Sequence, residues 1–144
     1  SADRLTKEIS DTAAIMEETY GRKPMIFRPP YGAHNQAVGE VLRESGAAII
    51  QWDVDTNDWQ TRSTSTTVNA AVHGPGVRSG AIILMHDIHP STVSAAPGIV
   101  TGLRERGMTL VTVSELSLNS PGMQAGQAYC NGTMRAQSGF NCDD

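Results

Sequence analysis

The sequence predicts an α/β fold in which parallel strands alternate with outer helices, and three observations carry that reading. Helical and strand-like segments follow one another as α-β-α-β-α-β-α-β with short connections, the order of strand–helix–strand crossovers. The stretch from Gly80 to His89 runs five apolar residues, Ala81 to Met85, straight into His86, Asp87 and His89. That composition suits a strand buried on both faces whose carboxyl end opens onto a site. Finally, each of three polar clusters follows a predicted strand, which is where ligands gather in α/β sheets and barrels.

The elements follow in order. Leu5, Ile9, Ala13 and Met16 recur at spacings of four and three, which predicts an amphipathic helix from Asp3 to Tyr20, stopped by Gly21. Met25 to Arg28 reads as a short strand ended by Pro29-Pro30, since proline cannot continue a ladder. Asn35 caps a second helix to Ser45, with Val38, Val41 and Leu42 inward and Gly46 as terminator. Ala47 to Val54 is the second predicted strand, and Asp55 to Trp59 the loop beyond it. The Ser/Thr-rich run from Thr61 leads into a third helix through Val72, broken at Gly74-Pro75-Gly76. After the strand holding Leu84, Ser91 or Thr92 begins a fourth helix to Arg106, with Pro97 inside it. Thr109 to Val113 is the fourth predicted strand, Ser114 to Leu116 a helical turn, and the chain from Asn119 a tail.

A length of 144 residues suits one domain of ordinary size. The net charge of −4 argues against a nucleic-acid footprint, which needs clustered Lys and Arg. No apolar run approaches the roughly 18 residues of a membrane span, and the polar opening Ser1-Ala-Asp-Arg does not read as a signal peptide. Four parallel strands do not close a barrel, so the expectation is either a compact domain or part of something larger. Cys130 and Cys142 frame a Gly/Asn/Ser-rich loop, which a disulfide would restrain by ~3 kcal/mol in the chain-entropy model. Two unpaired thiols are the other possibility. Pairing implies an oxidising compartment and a secreted protein. Asn131-Gly-Thr133 matches a glycosylation sequon.

Three clusters carry candidate chemistry. In Arg28-Pro-Pro-Tyr-Gly32 two prolines stiffen the backbone, so the Tyr31 N–H could serve as an oxyanion donor and Arg28 could grip a carboxylate with two prongs. Alone, the same residues read as a plain turn with a surface arginine. Asp53-Val-Asp-Thr-Asn-Asp-Trp59 places three carboxylates beside two tryptophans, Trp52 and Trp59. A carboxylate orienting a histidine or arginine is one reading; helix capping is another. An EF-hand is not, because its spacing and closing glutamate are missing. In Leu84-Met-His-Asp-Ile-His89, two histidines fall well short of a metal-ligand set. His86 as a general acid or base needs an orienting partner, and Asp58, 28 residues earlier, stands at the end of the preceding predicted strand.

Together these motifs resemble the NodB-type polysaccharide deacetylases, carbohydrate esterase family 4. Arg28-Pro-Pro-Tyr-Gly32 is similar to that family's third motif, Asp55-Thr-Asn-Asp-Trp59 to its fourth and Leu84-Met-His86 to its fifth. Order and spacing agree over about Leu5 to Leu118. The resemblance implies a (β/α)7 barrel of distorted form, of which this chain is the C-terminal portion. It assigns His86 as general acid, Asp58 as its orienting carboxylate and Arg28 as partner of a base aspartate. The Tyr31 N–H would stabilise the oxyanion, and Pro30, Tyr31, Trp59 and Leu84 would contact substrate. His89 receives no role.

The family's first motif, Thr-Phe-Asp-Asp-Gly, and its second, His-Ser/Thr-x-x-His, supply the base and the metal ligands, and neither occurs in these 144 residues. The expectation is therefore residues 1–118 as a partial deacetylase domain and 119–144 as a tail with the disulfide loop. The activity implied is removal of acetyl groups from chitin, peptidoglycan or acetylxylan, with a divalent metal, zinc, held by a segment absent from this sequence. Expected partners are an acetylated polysaccharide and that N-terminal portion, with no nucleic acid and no membrane. A non-catalytic carbohydrate-binding remnant, stacking sugars on Trp52, Trp59 and Tyr31, is the rival reading.

Overall fold

The computed structural model describes residues 2–119, 122–133 and 142. They form a mixed α/β structure with parallel strands, arranged in two units. The chain runs α1 (Ala2–Tyr20), β1 (Ile26–Phe27), α2 (Gln36–Ser45), β2 (Ala48–Ile50), β3 (Val54–Asp55), α3 (Asp58–Thr61) and α4 (Thr64–His73). It continues through β4 (Ile83–Leu84), α5 (Pro90–Glu105), α6 (Val113–Leu116) and β5 (Ala128–Tyr129). One unit holds the chain up to Gln51 with 122–130 and Cys142; the other holds Trp52 to 119 with Asn131–Thr133.

In the first unit β1, β2 and β5 form a sheet in that order, both pairings parallel, with Phe27 opposite Ile49 and Ile49 opposite Ala128. Ile9, Leu42, Ala47, Ile49 and Ala128 make its core, joined by Leu5, Phe27, Val38 and Val41. The second helix starts and stops where its sequence says. The Asn35 side chain accepts from the Val38 N–H at 3.1 Å, satisfying a donor the helix itself leaves unpaired. Gly46 ends it at φ 83, a left-handed conformation that costs glycine nothing. Gly126 brings the chain into β5 against α2, where a Cβ would meet the Gly39 oxygen at 2.4 Å.

In the second unit β3 and β4 pair in parallel, Val54 opposite Ile83 and Asp55 opposite Leu84. Val54, Ala71, Val72, Val77, Ala95, Ile99 and Leu103 form the core beneath them. Helices α4 and α5 approach closely because Gly102 presents no side chain; a Cβ there would lie 2.9 Å from both Val72 methyls.

Several predicted elements differ from those observed. The single strand expected over Ala47–Val54 is two strands in two sheets. The Gln51 N–H still pairs with the Tyr129 carbonyl at 2.9 Å. The Ile50 and Gln51 carbonyls go instead to the Arg28 side chain, so the ladder ends there. Thr109–Val113 is not a strand. Thr112 spends its backbone N–H on the Glu115 carboxylate and its hydroxyl oxygen on the Glu115 N–H, a capping box that starts α6. The run expected to be buried on both faces is not: Ile82 and Leu84 are buried whereas Met85 is 37% exposed. Helix α5 begins one residue before the predicted Ser91, because Pro90 suits a first turn whose N–H has no partner in any case. The segment read as tail contributes β5, with Ala128 and Tyr129 buried. Met134 and Phe140 of the predicted loop lie outside the described residues. Cys130 and Cys142 are disulfide-bonded.

Candidate active site

The best-defined site is at the carboxyl ends of β3 and β4. Their parallel pairing brings the turn after Asp55 beside the turn after Leu84, as a crossover through one intervening helical layer requires. Asp55 Oδ1 accepts the Asn57 N–H at 2.8 Å, and Asn57 takes φ 51, a left-handed turn that delivers Asp58 as the first residue of α3. The buried Thr56 hydroxyl ties this turn to β4 by donating to the Leu84 carbonyl at 2.9 Å.

Asp58 is fully buried and accepts four hydrogen bonds. Its Oδ1 takes the Trp59 N–H at 2.9 Å and faces His86 Nδ1 at 2.8 Å; its Oδ2 takes the His86 N–H and the Thr92 hydroxyl, each at 2.7 Å. Burial works to raise the Asp58 pKa, but the bonds from the His86 ring, Thr92 and the His86 N–H outweigh it and hold it down to about 2. The carboxylate is therefore ionised and accepts only, so His86 Nδ1 must carry a proton. Nε2 is left as the ring atom that can exchange a proton with a substrate, and the side chain is 35% exposed. An oriented, partly open imidazole backed by a buried carboxylate is equipped for general acid–base work.

The apolar surroundings are graded. Leu84 is buried at 7% exposure, whereas Trp59 is 49% exposed. His89 caps the start of α5 through its main chain, with the ring buried and its centroid 6.0 Å from that of His86.

Arg28, Pro30 and Tyr31 belong to the other unit. Arg28 makes a two-pronged contact with main-chain carbonyls, Nε on Ile50 and Nη2 on Gln51, each at 3.0 Å. Pro30 and Arg28 help line an open groove of about 690 Å³ with Leu5, Ile9 and Phe27. Tyr31 adopts φ 59 and ψ 16 in a 3-10 turn, its side chain wholly exposed. For an aromatic residue that conformation is an outlier of the kind found at functional turns.

Of the residues singled out in sequence, Asp58 and His86 are thus in direct contact, and Leu84 is joined to their turn through Thr56. Thr92 was missed as a site residue: sequence shows it only as a helix start, and its role depends on a fold that aims its hydroxyl at Asp58. Among the described residues no three His, Cys, Asp or Glu side chains gather as a metal site. With His86 Nδ1 committed to Asp58, these residues do not fit the divalent metal that the family resemblance implies.

The family model for polysaccharide deacetylase matches residues 1–50. A peptidoglycan-N-acetylglucosamine deacetylase of Listeria monocytogenes is 36% identical over 133 residues, 92% of this chain and 27% of that protein. The chain thus spans about a quarter of the length of this curated relative. Among solved structures, one described as T48 deacetylase with substrate has 38% identity and a TM-score of 0.82, over 90% of this chain and 62% of the other. A family 4 carbohydrate esterase from Streptomyces lividans in complex with acetate has 33% identity and a TM-score of 0.73, over 79% and 58%.

Proposed function

Since this chain is a relative of the NodB-type polysaccharide deacetylases of carbohydrate esterase family 4, we propose that it carries the proton-donating part of a hydrolase that removes acetyl groups from polysaccharide. The observation that carries this reading is the buried Asp58 carboxylate saturated by four hydrogen bonds, one of them from the His86 ring. In the reaction, water gives up a proton to the base aspartate that the family resemblance assigns outside this sequence and adds to the acetyl carbonyl carbon, the carbon–nitrogen or carbon–oxygen bond to the sugar breaks, and acetate leaves. The departing amine or alcohol takes the proton from His86 Nε2. Asp58 keeps the ring in one tautomer and stabilises the imidazolium by its negative charge. By the family resemblance, Trp59 and Leu84 line the pocket for the acetyl methyl.

The remaining assignments rest on the family resemblance. The Tyr31 N–H stabilises the oxyanion, Pro30 and Tyr31 contact the sugar, and Arg28 serves the base aspartate of a motif this sequence lacks. A divalent metal, zinc, is assigned to residues outside this sequence, and the chain itself to the C-terminal portion of a distorted (β/α)7 barrel. The disulfide supports a secreted protein.

Acetate release from N-acetylglucosamine oligomers, peptidoglycan and acetylxylan tests the reading, using the full-length protein that carries this sequence. His86→Ala should lower kcat by about 10²–10⁴-fold with KM little changed. Undiminished turnover in that variant would remove His86 from the mechanism, and no acetate from any of the three polymers would sink the activity itself.

A further inference from the structure

We propose that Gln51, itself oriented by His34, is a positioning residue that clamps the Gly32 carbonyl and so holds Tyr31 in its left-handed conformation, fixing the direction of its N–H. The proposal rests on the oxyanion role given above to that N–H. Tyr31 has φ 59 and its neighbour Gly32 φ 68, so two successive residues are left-handed. For a residue with a Cβ this conformation is strained, and such strain persists only where the surroundings over-determine it.

On the N-terminal side the constraint is covalent, since Pro29 and Pro30 fix their own φ. The Gly32 and Ala33 N–H groups then bond back to the Pro29 and Pro30 carbonyls at 3.0 and 3.1 Å. Nothing comparable is built into the C-terminal side, where Gly32 is free of steric restraint. There the carbonyl of Gly32 is held from a distance. Gln51 Nε2 donates to it at 2.6 Å, and His34 Nδ1 lies 3.1 Å from the same oxygen and 2.9 Å from Gln51 Nε2. The amide nitrogen has two hydrogens: one serves Gly32, and the other meets the Nδ1 lone pair, which requires His34 to carry its proton on Nε2. Gln51 is itself anchored, its N–H on Tyr129 and its carbonyl on Arg28.

The amide is a costly way to fill this position. Gln51 is 4% exposed, and its Oε1 is buried with no hydrogen-bond partner among the described residues. Leaving an acceptor so orphaned is destabilising, a cost that a methionine of similar length would avoid. What a methionine lacks is the donor to Gly32.

Nitrogen-15 spectra of the full-length protein that carries this sequence test the clamp. In Gln51→Met the Tyr31, Gly32 and Ala33 amide resonances should shift, and the His34 ring proton should move from Nε2 to Nδ1 to take over the Gly32 carbonyl. Thermal stability should hold or rise, which a merely structural glutamine would not allow. Unmoved resonances with an unchanged His34 tautomer would overturn the proposal. Should Gln51→Met fail to fold, His34→Phe removes the ring acceptor alone, and the same three resonances must still move. In the full-length protein Gln51→Met should reduce kcat by on the order of 10-fold, with KM unaltered. Shifted resonances with unaltered kcat would leave the clamp standing and remove the oxyanion role of Tyr31.

Discussion

The turn before Asp58 and the turn at Tyr31 both follow a short parallel strand, and each contains a non-glycine residue at positive φ, Asn57 at 51 and Tyr31 at 59. Their supports differ. Asn57 is held locally: Asp55, two residues earlier, accepts its N–H, and asparagine tolerates the left-handed region well. The functional group that follows is a side chain, Asp58, locked by four hydrogen bonds. The turn at Tyr31 is held chiefly by Gln51, twenty positions later, which His34 orients, and the group of interest is its own backbone N–H. One turn stores its precision in a saturated carboxylate, the other in dihedral angles held by a distant residue. Substitution should therefore act on the first through charge and on the second through conformation.

The largest effect that could break this contrast is a double-mutant cycle at Asp58 and His86. With His86→Ala already down by about 10²–10⁴ in kcat, Asp58→Asn should lose less, and the double variant should be little worse than His86→Ala. Multiplicative losses would show that Asp58 acts on something other than His86.

Thr92→Val comes next. It removes one charge-assisted bond to Asp58 at almost constant volume, so stability should fall by about 2 kcal/mol in denaturant titration. The Asp58 pKa should rise from about 2, because a bond that lowers it is gone. Thr92→Ser, which keeps the hydroxyl, should restore both; a serine variant as weak as the valine one would refute the hydroxyl's part.

A pH titration has a comparable size. Asp58 has a native pKa of about 2 against 3.8 for the free group. Its contribution to stability is therefore fully present above the unfolded value and lost as pH falls through the native one. A loss of about 2 kcal/mol is expected between about pH 4 and pH 2. Stability unchanged across that window, with Asp58 protonating near 4, would mean the carboxylate is not saturated in solution.

The smallest effect sharpens the other half of the contrast. Tyr31→Gly relieves the left-handed strain and loses no packing, the side chain being wholly exposed. Melting temperature should rise slightly, corresponding to less than about 1 kcal/mol. A fall would indicate that Tyr31 is not strained.

Local signals were the legible ones. Asn35 and Gly46 mark the ends of α2 because capping is decided within four residues of chain. The family resemblance singled out Asp58 among three nearby carboxylates as the partner of His86, and one helical crossover between strand ends made that pairing possible. The errors share a cause, dependence on a partner that sequence does not show. Leu110 and Val111 look like strand residues, yet each is nearly half exposed, and the Thr112-x-x-Glu115 box beside them was the better guide. Ala47 to Val54 is apolar enough for one strand, but Arg28 takes two of its carbonyls. Ala128 and Tyr129 carry too little pattern to announce β5, and Thr92 and Gln51 matter through what they touch.

The place of β5 in the first sheet also dictates an order of events during synthesis. Ile49 must wait for Ala128, 79 positions later, before its sheet is whole. At translation rates of about 5–20 residues per second, that is roughly 4–16 s with one flank of β2 bare beside the nascent chain. Trp52 to Asn119, by contrast, emerges as one continuous stretch holding β3, β4, α4 and α5, whose mutual contacts are already available. The half of the chain that bears Asp58 and His86 should therefore condense while the half that bears Tyr31 is still open. A ribosome stalled before Ala128 would display one folded, protease-resistant unit and one exposed strand edge, a target for chaperone capture.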